Sequence, residues 1–235
     1  MSSASGILYL IPTPIGNLGD ITQRALEILT EVDLVACEDT RVSGRLMQHL
    51  GLKKKLISYH DFNEQVRARQ LLEMINEGKS VAVITDAGSP GISDPAYRIV
   101  RTAIDNGIEI TALPGPNAVI PALTASGLPT DRFFFEGFLP NKGGARNTRL
   151  EKLKEFDHTL VFYESPHRVK KTLEAMRAVL GDRQACLARE ISKKFEQYIR
   201  GSITEILEQL PKTVKGEIVL VVEGSRPQKK RECDE

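Results

Sequence analysis

Three loops in the first half of the chain carry residue types suited to holding a small polar ligand. They read PTPIGNLGD (residues 12–20), TDAGSPGISDP (85–95) and LPGPNAV (113–119). Each follows a short apolar run that reads as a strand. In open α/β sheets, ligands bind beyond the carboxyl ends of the strands. Glycine there lets the backbone come close to a ligand and leaves its amides free to donate. Gly and Pro also make ordinary turns, but three such loops after three apolar runs point to one shared site. No Lys follows the glycines in the GxxxxGK[ST] manner, and none of the loops is in GxGxxG register. A nucleotide hydrolase and a dinucleotide enzyme are therefore disfavoured.

Charged constellations follow other strand-like runs. CEDTR sets Glu38, Asp39 and Arg41 after one apolar run, where a helix cap with a local ion pair is the simpler reading. YESPHR brings Glu164, His167 and Arg168 to a second strand end. Arg189 and Glu190, with Lys193 and Lys194, follow a third, where a solvated charge run is the simpler reading. The stretch NKGGARNTRLEKLK holds Lys142, Arg146, Arg149, Lys152 and Lys154 against the single acid Glu151. Its two glycines suggest a mobile start. It is the best local candidate for contact with a phosphate backbone, although a soluble loop feeding an ordinary helix would look the same.

The elements that must position these groups alternate. Strand-like GILYLIP, DLVACE, KLISY, SVAVIT and IEITAL are separated by helical DITQRALEILTEV, TRVSGRLMQHLG, EQVRARQLLEMINEG and DPAYRIVRTAIDNG. Asp20, with Gln23 at capping-box spacing, is the expected N-cap of the first helix. Asp94 is the expected N-cap of the last, with Pro95 in its first turn. Such alternation argues for a parallel or mostly parallel sheet. After ALTASGLPTD the pattern changes to RFFFEGF, the polar stretch around 140–156, TLVFYE, the helical HRVKKTLEAMRAVLG, QACLARE, the helical ITEILEQL, and EIVLVVEG. The expected division is an N-terminal α/β domain over 1–118, a C-terminal α/β domain over 119–225, and a disordered charged tail over 226–235.

Composition fits an ordinary globular chain. The 235 residues are 41% hydrophobic, and 32 basic against 31 acidic residues leave a net charge of +1. No global basic field advertises nucleic acid, so any such contact must be local. Cys37, Cys186 and Cys233 form neither a CxxC nor a Cys/His cluster. No disulfide framework or metal site is expected, and a cytoplasmic location fits. The start MSSASGILYLIP lacks a basic n-region and is broken by Pro12, so no signal peptide is expected. No run approaches the roughly 18 apolar residues of a membrane span.

In this order, LYLIPTPIGNLGDITQRALEIL, VACEDTR, ITDAGSPGISDPAYRIVR, LPGPNAVIPALTASGLPTDRFFFEGFLP, TLVFYESPHRV, LARE and GEIVLVVEG resemble the ribosomal RNA small subunit methyltransferase I family of the tetrapyrrole methylase-like superfamily. The resemblance runs from about Leu8 to Gly224. The wider superfamily has a more glycine-rich first loop and GDP where this chain reads GSP, which fits the RNA-directed branch. Members of the family continue past VEG with a further helical segment, whereas this sequence ends eleven residues after Gly224.

The resemblance implies two α/β/α domains with mixed sheets, the class III S-adenosylmethionine methyltransferase fold, with the cofactor in the cleft between them. It implies a homodimer and 2′-O-methylation of a cytidine ribose in 16S rRNA of the small ribosomal subunit, with no membrane partner. Pro14, Ala87, Gly88, Ser89, Ile92, Gly115, Asn117 and Ala118 would line one side of the S-adenosylmethionine site. Phe162, Tyr163 and Gly216 would line the other, near Glu190. Lys193, Glu164, Glu190 and Asp39 are the candidates to border the reacting hydroxyl, with no metal required. Arg41, Lys142, Arg146, Arg149 and Arg168 would face RNA. A tetrapyrrole methyltransferase and a non-catalytic RNA-binding module of the same fold are the alternatives.

Overall fold

The computed structural model describes residues 6–225, so the tail expected over 226–235 lies outside the described residues. The chain divides after Asn117 into two compact units.

The N-terminal unit is one five-stranded sheet of β1 (Ile7–Leu10), β2 (Leu34–Cys37), β3 (Leu56–Ser58), β4 (Val81–Ile84) and β5 (Glu109–Ala112) in the order β3-β2-β4-β1-β5. Every pair in it is parallel. Side chains alternate across it, as strand geometry requires. Val35, Cys37, Ala82 and Ile84 pack with α1 (Gln23–Glu31) and α2 (Thr40–His49). Leu34, Ala36, Val81 and Val83 pack with α3 (Glu64–Asn76) and α4 (Tyr97–Asp105) on the opposite face. Strands buried on both faces read as continuous apolar runs, which is why β2 and β4 were legible.

Two helix starts differ from the sequence expectation. Thr22, not Asp20, caps α1 and accepts from the Ala25 amide at 3.1 Å. Asp20 closes a separate 3₁₀ turn capped by Asn17. The last helix of the unit begins at Tyr97 behind Ala96, without a side-chain cap. The preceding residues are spent in a tight loop, with Gly91 and Ser93 in the left-handed region at φ 84° and 64°.

The C-terminal unit is a mixed sheet of β6 (Phe133–Phe138), β7 (Thr159–Glu164), β8 (Gln184–Arg189), β9 (Gln197–Ser202) and β10 (Ile218–Val222) in the order β6-β7-β10-β8-β9. Only β6 and β7 run parallel. Helices α6 (Gly143–Leu153), α7 (Val169–Leu180) and α8 (Ile203–Gln209) share one core with Leu160, Phe162, Leu187 and Leu220. The short α5 (Val119–Thr124) lies against β10.

The sequence reading missed α5 and β9. The first is only six residues long, with Pro121 in its first turn. The second, QYIRGS, has only Ile199 fully buried and carries no apolar run. The basic stretch, whose two glycines suggested a mobile start, is helix from Gly143 to Leu153, with Leu150 and Leu153 anchored in the core.

Candidate functional site

In the N-terminal unit the three glycine- and proline-rich loops leave β1, β4 and β5, which are neighbours in the sheet and end on the same side. They are joined to one another. Thr13 and Gly88 exchange backbone hydrogen bonds of 2.9 Å in both directions. The Thr13 hydroxyl donates to the Thr85 carbonyl at 2.9 Å, and the Thr85 hydroxyl lies 3.3 Å from the Gly88 carbonyl. The Ser89 hydroxyl reaches the Pro116 carbonyl of the third loop at 3.4 Å. Two glycines make these approaches possible. Gly88 sits at φ 85°, a conformation that costs other residues about 1–2 kcal/mol. A Cβ on Gly115 would lie 2.8 Å from that of Pro12.

The structure thus gathers Pro14, Ala87, Gly88, Ser89, Gly115 and Asn117 from three distant stretches, and Ile92 stands exposed on the second loop. Ala118 begins the next unit, at the start of α5.

Beside these loops lies a group of acids that the sequence reading did not assemble. Burial pushes Asp94 up to about 6, helped by the charges of Glu38, Asp86 and Asp61. Burial and Asp86 raise Glu38, and burial raises Asp86. Acids that raise one another mark a region of negative potential. Among the described residues no group of His, Cys, Asp or Glu has a metal-holding arrangement. The residues present fit S-adenosylmethionine: hydroxyl and backbone amide donors for its carboxylate, loop carbonyls to accept from its ammonium, apolar Pro14 and Ile92, and a negative field for its sulfonium. Asp39 is a helix cap. It accepts from the Arg41 amide at 2.8 Å and from its guanidinium at 2.6 Å, which holds the carboxyl well below the usual range. Arg41 makes this local pair, the simpler of the two readings of CEDTR, while its side chain stays largely exposed.

In the C-terminal unit, the register Ile218↔Glu164 and Ile218↔Arg189 sets the ends of β7 and β8 beside the start of β10. Lys193 lies 3.2 Å from Glu190 and 2.8 Å from Glu217. Burial alone would lower the Lys193 ammonium, but these carboxylates outweigh it and raise it. A lysine acts as a base only when its pKa is lowered, so this geometry argues against that role. Burial likewise pushes Glu190 up, and the Glu217 amide and Lys193 bring it below its ordinary value. Glu190 and Ser192 adopt left-handed φ of 51° and 66°, conformations that non-glycine residues hold only when their surroundings enforce them. Gly216 lies directly under Glu190, where a Cβ would overlap its carboxylate.

Four other expectations change. Phe162 is wholly buried among the helices, so its side chain lines no site. Glu164 is 2% exposed. Its carboxylate accepts from the Thr172 hydroxyl at 2.5 Å and the Ser165 amide at 2.7 Å, and lies 3.3 Å from Arg168. It is committed to structure rather than to a reacting group. Arg168 also donates to the Leu139 carbonyl and to Asn141, so it pins the loop after β6. Arg149 makes a two-pronged bond to Glu136 at 2.5 and 2.6 Å. Lys142 stands exposed, and Arg146 is partly covered.

The family model Tetrapyrrole (Corrin/Porphyrin) Methylases matches residues 7–207. Ribosomal RNA small subunit methyltransferase I of Haemophilus influenzae is 52% identical over 228 residues, 95% of this chain and 81% of that protein. The protein of the same name from Halalkalibacterium halodurans is 46% identical, covering 94% of this chain and 76% of its own length. The crystal structure of uroporphyrin-III-C-methyltransferase from Thermus thermophilus superposes with a TM-score of 0.60 over 93% of this chain and 92% of its own, at 20% identity, which is a likeness of fold. The chain belongs to the ribosomal RNA small subunit methyltransferase I family of the tetrapyrrole methylases.

Proposed function

We propose that this chain transfers a methyl group from S-adenosylmethionine to the 2′-oxygen of a cytidine ribose in 16S RNA of the small ribosomal subunit. The observation that carries the reading is the junction of three ligand-type loops, Thr13 to Gly88 and Ser89 to Pro116, in a chain of this family. S-Adenosylmethionine, when bound, supplies an electrophilic methyl group on a sulfonium. The second and third loops, through Ser89, Asn117 and their backbone amides, hold its polar end. Glu38, Asp86 and Asp94 supply the negative field that favours its charge.

The rest of the rate comes from holding the ribose hydroxyl in line, since alignment alone removes much of a bimolecular barrier. Lys193, kept protonated by Glu190 and Glu217, faces RNA as a fixed cation. Asp94, with a pKa of about 6, has the basicity suited to taking the hydroxyl proton near neutral pH. The reading carries with it a homodimer and a cytoplasmic location. The homodimer rests on the family resemblance, and the location on the scattered cysteines of the sequence. Among the described residues no helix is long and apolar enough to cross a membrane.

Calorimetric titration with S-adenosylmethionine and its demethylated product, followed by transfer of labelled methyl to undermethylated small subunits, tests the proposal. Binding and label in the RNA support it. Label in uroporphyrinogen instead, or in neither substrate, overturns it.

A further inference from the structure

β6 reaches its end through a bulge. Phe135 pairs with Val161, but Gly137 pairs with Phe162 and Phe138 with Tyr163, so Glu136 is the extra residue. Gly137 follows at φ 73°. Without the bulge, alternation would send Phe138 to the face of the sheet that carries the helices, with Phe162. With it, Phe138 joins Phe135 and Tyr163 on the other face. Bulges of this kind re-aim side chains and are frequent beside functional sites.

The bulge is anchored. Glu136, nearly buried, is gripped by Arg149 of α6. The loop that follows is held by Arg168 at Leu139 and Asn141. All this hardware ends in an aromatic ring turned to solvent. Phe138 is 57% exposed. Its ring stands 5.6 Å from that of Tyr163, which in turn meets Phe135 edge-on at 5.0 Å. Burial does not explain a large apolar ring that rests on Tyr163 and that no core covers.

Cations stand close by along the chain. Lys142 follows Phe138 by four residues, a span of at most about 14 Å. One turn further, the Arg146 guanidinium folds back to 3.9 Å from where a Gly143 side chain would begin. Exposed aromatic rings flanked by Lys and Arg are how proteins hold unpaired nucleotides: the ring stacks on a base and the cations meet the phosphates.

We propose that Phe138 is a stacking platform for an unpaired base of the substrate RNA, with Lys142 and Arg146 on the adjoining phosphates and Glu136, Arg149 and Arg168 as positioning residues. The inference rests on the RNA-directed reading above and names where the RNA is held.

The test uses the full chain with two probes, a fluorescent single-stranded RNA oligonucleotide copied from small-subunit RNA and undermethylated small subunits. Phe138→Ala and Phe138→Leu should each weaken oligonucleotide binding roughly tenfold, while Phe138→Trp stays near wild type. Binding of S-adenosylmethionine should be unchanged in all three. Lys142→Gln and Arg146→Gln should each lower the slope of log affinity against log salt by about one. Phe138→Leu and Phe138→Ala binding RNA as tightly as wild type, with unchanged melting temperature, overturns the platform. So does a change in oligomeric mass on sedimentation without a change in RNA affinity, which would make the ring a contact between copies. A wild-type chain that methylates small subunits while the Phe138 variants keep full RNA affinity sinks the platform alone. A wild-type chain that neither binds RNA nor methylates it sinks the underlying reading as well.

Discussion

Thr13 and Gly88 are bound to each other through both backbone hydrogen bonds, each 2.9 Å long, and this single bridge locks the loop after β1 onto the loop after β4. Only a residue at ease with φ 85° can hold the Gly88 end. Gly88→Val should therefore lower stability by about 1–2 kcal/mol and weaken S-adenosylmethionine binding at least tenfold. Gly115→Ala, whose Cβ would strike Pro12, should do the same through the third loop. Calorimetry on both variants checks this, and wild-type affinity in either would detach that loop from the cofactor.

Asp94 makes stability depend on pH in a definite sense. Its folded pKa, about 6, lies above the 3.8 of an ordinary aspartate, so between these values the folded state binds more protons than the unfolded one. Stability is then lost as pH rises from about 4 to about 6 and is level above. Asp94→Asn removes that loss. The melting temperature of the variant minus that of wild type should grow across this window, reaching roughly 2–5 °C at pH 7. The same substitution should slow single-turnover methyl transfer and abolish the acid limb of its pH profile. A parallel pair of melting curves would contradict the first expectation, and an unchanged acid limb the second.

Lys193 acts as a cation because Glu190 and Glu217 hold it so. Lys193→Arg keeps the charge and should retain methyl transfer within about tenfold. Loss of a general base would cost on the order of 10² to 10⁴. Single-turnover rates with saturating RNA and cofactor distinguish the two.

Glu164 is buried with three donors around it. Removing its carboxylate leaves the Thr172 hydroxyl and the Ser165 amide without their acceptor, at a cost of about 1–3 kcal/mol each. Glu164→Ala should accordingly lose stability in denaturant titrations. A variant as stable as wild type but catalytically dead would return Glu164 to the reacting group.

Arg149 is tied to Glu136 rather than to RNA. Arg149→Met should destabilise by about 2–4 kcal/mol, since Glu136 is left nearly buried and unpaired. The salt slope of RNA binding should stay put, in contrast to Lys142→Gln. A slope reduced by one would make Arg149 a phosphate contact after all.

Much was determined by the sequence alone. Strands buried on both faces must be continuous apolar runs, so β2, β4, β7 and β10 announced themselves, and Gly51, Gly78, Gly107 and Gly181 marked the ends of α2, α3, α4 and α7. The ligand-type loops were legible because Gly, Pro, Ser and Asp do at strand ends what few other residues can. Family membership was legible from the order of those loops. Tertiary structure decided the rest, because it depends on partners far apart in the chain. Strand order brought the loops after β1, β4 and β5 together and gathered Glu38, Asp86 and Asp94, whose mutual repulsion has no local signature. Pairing decided that β9 is a strand, since an edge strand needs few apolar residues. The charges of Lys193, Glu164, Arg149 and Arg168 read alike in the sequence. Only their neighbours, Glu217, Thr172, Glu136 and the Leu139 carbonyl, set which of them are committed to the fold. A one-residue bulge turned Phe138 from the core side of its sheet to solvent, and that choice of face belongs to the register of two strands and not to either alone.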